Sequence, residues 1–419
     1  MNMGRVRDVF THLGFEAKVY VILFVATLFS GSLYGIVAPY FIVIEIALLF
    51  WMCVQMPGKR PMAYFNRSHY VQFAILVVFS LFLLWQVPHS YVSSIGWSYV
   101  RRFLVFSLMF LMVPRPEVAF SAIKASKYYS LLVAVSIVIA TLLTGEKTGG
   151  LVGSYQYGGM MMSVACILFL VDYFIEEGRS TDALGFTISL VALLISGKRM
   201  FALLVVVAFV LLYALSRRRA GVVRAARLLA AGAIIVLPLY YWFAPVRELA
   251  QRLQLLTMDP GSATSGRNLL WAAAWETFRS HSLTGIGFGN FAAWIGANYD
   301  TRTIGQYMAH NIYYGLLAET GIVGFVLVVG LLVVSLIQSI PVLLRFRREE
   351  SALLYYVLTV SVAFQLWFVV YGLTGNGIYN WHEMFLYVSA LAMMISVQVH
   401  MRTAVRGEWN ATLPGSGPR

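Results

Sequence analysis

From Val19 to His400 the chain is a succession of apolar runs, each about 20 residues long, the length at which an α-helix crosses a bilayer. The stretch 200–216 contains one charge-free run of this kind and 320–344 another. Inside a bilayer every backbone N–H and C=O must be satisfied within the segment itself, so such runs fold as helices. The composition agrees: 60% of the 419 residues are hydrophobic and 12% charged, whereas soluble domains average about 25% charged. A water-soluble enzyme, a disordered chain and a disulfide scaffold are thereby excluded. The 28 Phe, 24 Tyr and 10 Trp suit a bundle anchored by aromatic side chains at both interfaces.

The pattern predicts an all-α integral membrane protein of about 12 transmembrane helices. Spans are expected near 19–34, 37–56, 70–88, 98–114, 128–144, 159–175, 183–197, 200–216, 228–243, 320–344, 352–372 and 383–400. The opening segment carries Arg5, Arg7 and Lys18 before an apolar run without a small-residue cleavage signature, and reads as an uncleaved signal anchor. Cys53 and Cys166 both fall inside apolar runs and read as buried small hydrophobes, with no disulfide and no metal site.

The net charge of +13 reflects topology rather than a nucleic-acid partner. With both termini cytoplasmic, the inner segments collect most of the basic residues, among them Lys59, Arg60, Arg67, Arg115, Lys124, Lys127, Arg179, the Arg217-Arg218-Arg219 run and Arg345. The short outer loops keep only Arg101, Arg102, Lys147, Lys198 and Arg199. Four units follow: spans one to nine (1–243), a periplasmic loop domain with short helices (244–319), spans ten to twelve (320–400) and a cytoplasmic tail (401–419). In the loop, Pro245–Leu256 reads as an interfacial helix and a second helix is expected to open at Ser265, with Trp271, Trp275 and Phe278 on one side.

Chemistry is expected where basic residues lie on the outer side near membrane depth, because charges there are costly and mark function. Lys198 and Arg199 occupy a tight hairpin after Gly197. Arg267 stands at the predicted start of the Trp271 helix, where free N–H groups and a guanidinium fork suit a phosphate. Gly285-x-Gly287-x-Gly289-Asn290 has no preceding strand and reads as a tight turn rather than a nucleotide loop. The segment from His310 to Gly321 leads into the tenth span, and helical spacing puts His310, Tyr314 and Leu317 on one face. An imidazole titrates near ambient pH and suits a general base. The outer acidic residues form no paired carboxylates of the kind a hard divalent cation wants, and the spans hold few charges beyond Glu45 and Asp172.

The twelve-span plan with its large loop, the stretch from Arg267 through Gly285-x-Gly287-x-Gly289-Asn290-Phe291, and His310-Asn311 leading into Leu317-x-Glu319-x-Gly321-Ile322-x-Gly324 resemble the O-antigen ligase and polymerase superfamily of bacterial envelope glycan assembly. The resemblance implies a GT-C-like glycosyltransferase of the inner membrane; the lack of paired outer carboxylates makes it metal-independent, and a direct, inverting displacement is the expected reaction. It would move a glycan from undecaprenyl diphosphate to the lipid A–core of lipopolysaccharide at the periplasmic face. It carries a catalytic role onto His310 and diphosphate binding onto Arg199 and Arg267. Lys198 would assist, and Tyr314 and Trp271 would line the glycan or lipid path. No cofactor and no nucleic acid are implied. The arginine–glycine spacing that polymerases often show in periplasmic loops is absent from the outer arginines here, which favours the ligase. An O-antigen polymerase or protein O-glycosyltransferase of the same superfamily is the alternative, and a lipid-linked oligosaccharide flippase the alternative from another class. The repeat unit, the acceptor sugar, the oligomeric state and the roles of Glu319 and Glu383 are left open by the sequence.

Overall fold

The computed structural model describes residues 13–29, 65–146, 148–176, 178–216, 218–242, 266–300, 307–346 and 351–405, together with residues 247 and 251. Several expectations lie outside these residues: the start of the signal anchor, the second span with Glu45 and Cys53, the helix Pro245–Leu256 and most of the tail. Among the described residues there are helices and no strands. In chain order they are α1 (Phe15–Phe29), α2 (Arg67–Gln86), α3 (Ser93–Leu111), α4 (Pro116–Thr144), α5 (Tyr155–Ile175), α6 (Ser180–Ile195), α7 (Arg199–Leu215), α8 (Arg218–Trp242), α9 (Arg267–Ser280), α10 (Phe291–Asn298), α11 (Ile312–Arg345), α12 (Ala352–Tyr371) and α13 (Trp381–Val405).

Every apolar run expected from 70–88 onward falls on one of these helices. Six of them, within α2, α4, α5, α11, α12 and α13, are long and apolar enough to cross a membrane, and α1, α6 and α7 hold shorter apolar helices. Sequential helices pack as neighbours, α2 on α3, α5 on α6, α12 on α13, while α11 lies against α2, α9 and α12. The apolar window of α5 is buried all round, which makes it the axis of the bundle, whereas only 39% of that of α11 is buried. The outward faces carry Leu142, Leu143, Leu229, Ile234, Ile337 and Leu344, an apolar surface of the kind that lipid covers.

Three expectations change. First, α4 begins at Pro116, twelve residues before the expected span, because Arg115 is extended and Pro116 supplies a pre-set first helical residue. Lys124 and Lys127 are therefore not loop residues but lie inside the helix, 2% and 3% exposed. Their charges are matched in place. Lys124 Nζ donates to Asp172 at 2.7 Å and to Glu176 at 2.9 Å, and Lys127 Nζ donates to Asp172 and, at 2.5 Å, to Asp182. Second, α11 starts at Ile312 rather than near 320, because the Asn311 side chain accepts from the N–H groups of Tyr313 and Tyr314 and caps it there. Third, Arg101 and Arg102 stand within α3 rather than in a loop. Cys166 is fully buried.

Candidate active site at three helix starts

Three helix N-termini meet at one end of the bundle. The α6–α7 hairpin turns within Ser196–Lys198, where Gly197 adopts φ 67°. Lys198 is the N-cap of α7 and Arg199 its first residue, and no side chain caps that end. The hairpin sits tightly on α5: a Cβ on Gly159 would stand 3.0 Å from Lys198 Cγ. The second terminus is that of α9, where Gly266 (φ 78°) is the N-cap and Arg267 the first residue, again without a side-chain cap. The third is α11, preceded by His310 and capped by Asn311.

His310 does not share a helical face with Tyr314 and Leu317. It lies outside the helix in the left-handed region, φ 50°, because the cap at Asn311 starts α11 only at Ile312. A non-glycine residue there is uncommon and is held by its surroundings. Those surroundings include the turn after α12, Gly372–Asn376, which the sequence reading passed over. Gly372 O accepts from Ile312 N at 2.8 Å, Leu373 O from Asn311 Nδ2 at 2.9 Å, and Val369 O from the Tyr313 hydroxyl at 2.9 Å. With the turn so clamped to the head of α11, Thr374 O accepts from Arg267 Nη1 at 3.1 Å, and Asn376 Nδ2 stands 3.2 Å from His310 Nδ1. The available signal was the run Gly372-Leu373-Thr374-Gly375-Asn376-Gly377, a glycine–asparagine turn between two apolar runs.

Lys198, Arg199, Arg267 and His310 are near enough to act on one another electrostatically. Burial and the Arg199 charge lower the affinity of Arg267 for its proton, opposed by the Tyr371 phenol. Burial, helped by the charges of Arg267 and Lys198, pushes the His310 imidazole down to about 4. The result is a cluster of cations with a neutral imidazole beside it. Such a set suits a ligand with more than one negative charge, since guanidinium forks and uncapped helix N-termini both favour phosphoryl oxygens. Among the described residues no group of three or more His, Cys, Asp or Glu gathers as a metal site would need.

Trp271 and Tyr314 lie beside this centre, facing each other. Their rings stack at 6.1 Å, and Trp271 Nε1 donates to Ala309 O at 3.0 Å, holding the backbone just before His310. The face by which α9 packs is Leu270, Ala273, Ala274 and Thr277, while Trp275 is half exposed.

The glycine motif and Glu319 form a lock behind the site. At Gly321 (φ 60°, ψ −161°) α11 breaks its helical path. The loop 282–291 fills the break: Ile322 N donates to Ser282 O, Ile286 N to Ala318 O and Gly287 N to Glu319 O, at 2.8, 3.1 and 2.9 Å. The buried Glu319 carboxylate accepts from Gly289 N and Phe291 N, each at 2.8 Å. Gln86, at the end of α2, donates to Thr284 O and Glu319 O and accepts from Phe288 N. Glu319 is thus committed to backbone N–H groups, and Glu383 accepts from Asn380 Nδ2 at 3.1 Å. The glycine segment is a turn, not a phosphate cradle.

Residues 184–329, about a third of the chain, match the family model described as O-antigen ligase. The resemblance to the O-antigen ligase superfamily is therefore shown, and the matched stretch contains Lys198, Arg199, Arg267, Trp271, His310 and Tyr314 but not the turn Gly372–Asn376. No curated protein gives a significant match.

Proposed function

We propose that the chain is a membrane glycosyltransferase of the ligase branch. It takes a glycan from undecaprenyl diphosphate and joins it to the lipid A–core of lipopolysaccharide at the periplasmic face. The observation that carries this reading is the pairing of Arg199 and Arg267, each the first residue of an uncapped helix, around the neutral imidazole of His310. The excess of basic residues at the other end of the bundle, Arg67, Arg115, Arg179, Arg224, Arg227, Arg345 and Arg402, supports an outward-facing site with cytoplasmic termini.

The donor bond joins an anomeric carbon to a diphosphate that leaves readily. The acceptor hydroxyl oxygen attacks that carbon from the opposite side, inverting it. As the C–O bond to the diphosphate breaks, its electron pair goes to the leaving oxygen. Arg199 and Arg267, with Lys198, hold the charge that accumulates there, the role a metal ion plays in other transferases. The hydroxyl proton passes to His310. Trp271 and Tyr314 support the His310 backbone and edge the glycan path.

The test is transfer of glycan from undecaprenyl diphosphate to lipid A–core by purified protein in EDTA, beside His310→Ala. Transfer is expected with wild type and is expected to fall by roughly 10²–10⁴-fold in the variant, the usual contribution of a general base. Glycan growing on its own carrier instead would identify a polymerase. Absence of transfer to any acceptor by folded protein would favour a lipid-linked oligosaccharide flippase.

A further inference from the structure

The side chain of Asn376 faces the Nδ1 ring nitrogen of His310. Its Nδ2 is 3.2 Å from Nδ1, so in this rotamer Nδ1 serves as acceptor and the imidazole proton sits on Nε2. At the same time Asn376 Oδ1 is buried and, among the described residues, receives no hydrogen bond. One end of the carboxamide is thus unpartnered in either orientation, and the bond that fixes the group is the one to Nδ1. The two ends of a carboxamide have nearly the same shape, and a half-turn of the group exchanges them. After that half-turn Oδ1 accepts from Nδ1–H, and the lone pair of the neutral ring lies on Nε2, the nitrogen pointing away from the turn.

We propose that Asn376 is the positioning residue of His310: its Oδ1 takes the Nδ1 proton, fixes the ring in the Nδ1–H tautomer and leaves Nε2 as the base. This rests on the reading of His310 given above, and extends it to a residue more than sixty positions away, outside the matched family segment. The geometry around the pair suits the role. Asn376 belongs to the turn whose carbonyls hold Asn311, Ile312 and Arg267, so the base, the helix that follows it and one arginine are all referred to one short piece of backbone. His310 is itself fixed outside the helix at φ 50°, which leaves its ring orientation to side-chain partners. The charges acting on the ring are those of Arg267 and Lys198, both of which disfavour imidazolium, and Arg199 acts in turn on Arg267. With no anionic partner among them, a neutral amide oxygen is the group that selects a tautomer without recharging the ring. In the transfer step the acceptor hydroxyl proton then moves to Nε2, and Asn376 holds Nδ1–H throughout.

The tautomer is read directly, without any glycan, from the ¹⁵N signals of His310 in labelled protein in detergent near pH 7.5, identified by their loss in His310→Gln. Wild type is expected to show a protonated Nδ1 and an unprotonated Nε2, and Asn376→Leu to lose that preference. A wild-type His310 carrying its proton on Nε2, or a tautomer unchanged in Asn376→Leu, overturns the proposal. In the transfer assay Asn376→Leu is expected to lower kcat by about tenfold or more, within what a general base supplies, with the donor KM little changed. Asn376→Asp keeps the acceptor oxygen and adds charge, so it is expected to retain transfer and to move the acid limb of kcat/KM upward. Asn376→Leu with full kcat, or Asn376→Asp with an unmoved limb, overturns the proposal. If wild type transfers no glycan, the functional reading fails while the ¹⁵N result still decides the role of Asn376.

Discussion

At the scale of single residues the site turns on how His310 stays neutral. Its folded pKa of about 4 lies below the ordinary 6.5, so between those values the unfolded chain binds the proton and the folded protein does not. The contribution of His310 to stability is complete above pH 6.5 and is lost as pH falls toward 4. If His310 is the base proposed above, the same shift leaves it unprotonated and competent well below neutrality in the free protein. On the proposed reading an anionic donor changes this in part: burial is the larger cause of the shift, but a diphosphate offsets the Arg267 and Lys198 charges that add to it. The acid limb of kcat/KM, which reports free enzyme, is therefore expected near pH 4, and that of kcat, which reports the complex, at a higher pH. Two coincident limbs would count against a diphosphate bound beside His310. The charged members of this site were legible in the sequence because a cation close to an apolar run is costly and stands out. Thr374 and Asn376 were not, since a neutral turn residue carries no such cost and its importance depends on where a distant helix begins. Lys124 and Lys127 misled for the converse reason. A Lys-Ala-Ser-Lys stretch reads as a loop until the carboxylates of Asp172 and Asp182 are brought against it.

At the scale of elements, periodicity located the helices but not their ends. The ends are set by caps and breaks that involve one or two residues: Pro116 for α4, Asn311 for α11, Gly321 within α11. The break at Gly321 is what allows the loop 282–291 to donate to and accept from the backbone of α11. Gly285 is where the loop lies tightest on the backbone of α11. It adopts φ 70°, and a Cβ there would stand 2.2 Å from the Glu319 carbonyl carbon, which is backbone and has nowhere to go. Gly285→Ala is expected to lower thermal stability by at least about 1–3 kcal/mol from backbone strain alone, and to reduce transfer by displacing the head of α11. Gly330→Ala is the control. It lies in α11, the helix that Gly285 packs against, with nothing within 4 Å of its would-be Cβ, and is expected to be neutral or stabilising by up to about 1 kcal/mol. Equal melting of the two variants in detergent would mean that the loop is not locked to the helix break.

At the scale of the molecule the bundle has two polar ends with different tasks. One carries the cationic site; the other buries Lys124 and Lys127 among Asp172, Asp182 and Glu176, tying α4, α5 and α6 together. Along α6 the two are separated by the helix from Asp182 to Ser196, about 20 Å at 1.5 Å per residue. The charges in the second end are nearly all buried, so removing one partner leaves another uncompensated in a poor solvent for ions. Lys127→Met is expected to cost about 3–5 kcal/mol of stability, and Lys127→Met with Asp182→Asn to cost less than the single change, because one of the stranded carboxylates is then neutral. Neither should alter kcat at a temperature where both variants are folded, since sites this far apart with no shared partner act independently. Arg267→Ala is expected to behave oppositely, losing transfer while its melting temperature moves little, because the arginine is only partly buried and, among the described residues, is anchored by one bond to Thr374 O. Parallel melting and transfer measurements on the three variants decide the matter. A kcat that falls with Lys127→Met in fully folded protein would mean that the ion network reaches the site through α5 and α6. The two ends would then have to be treated as one machine.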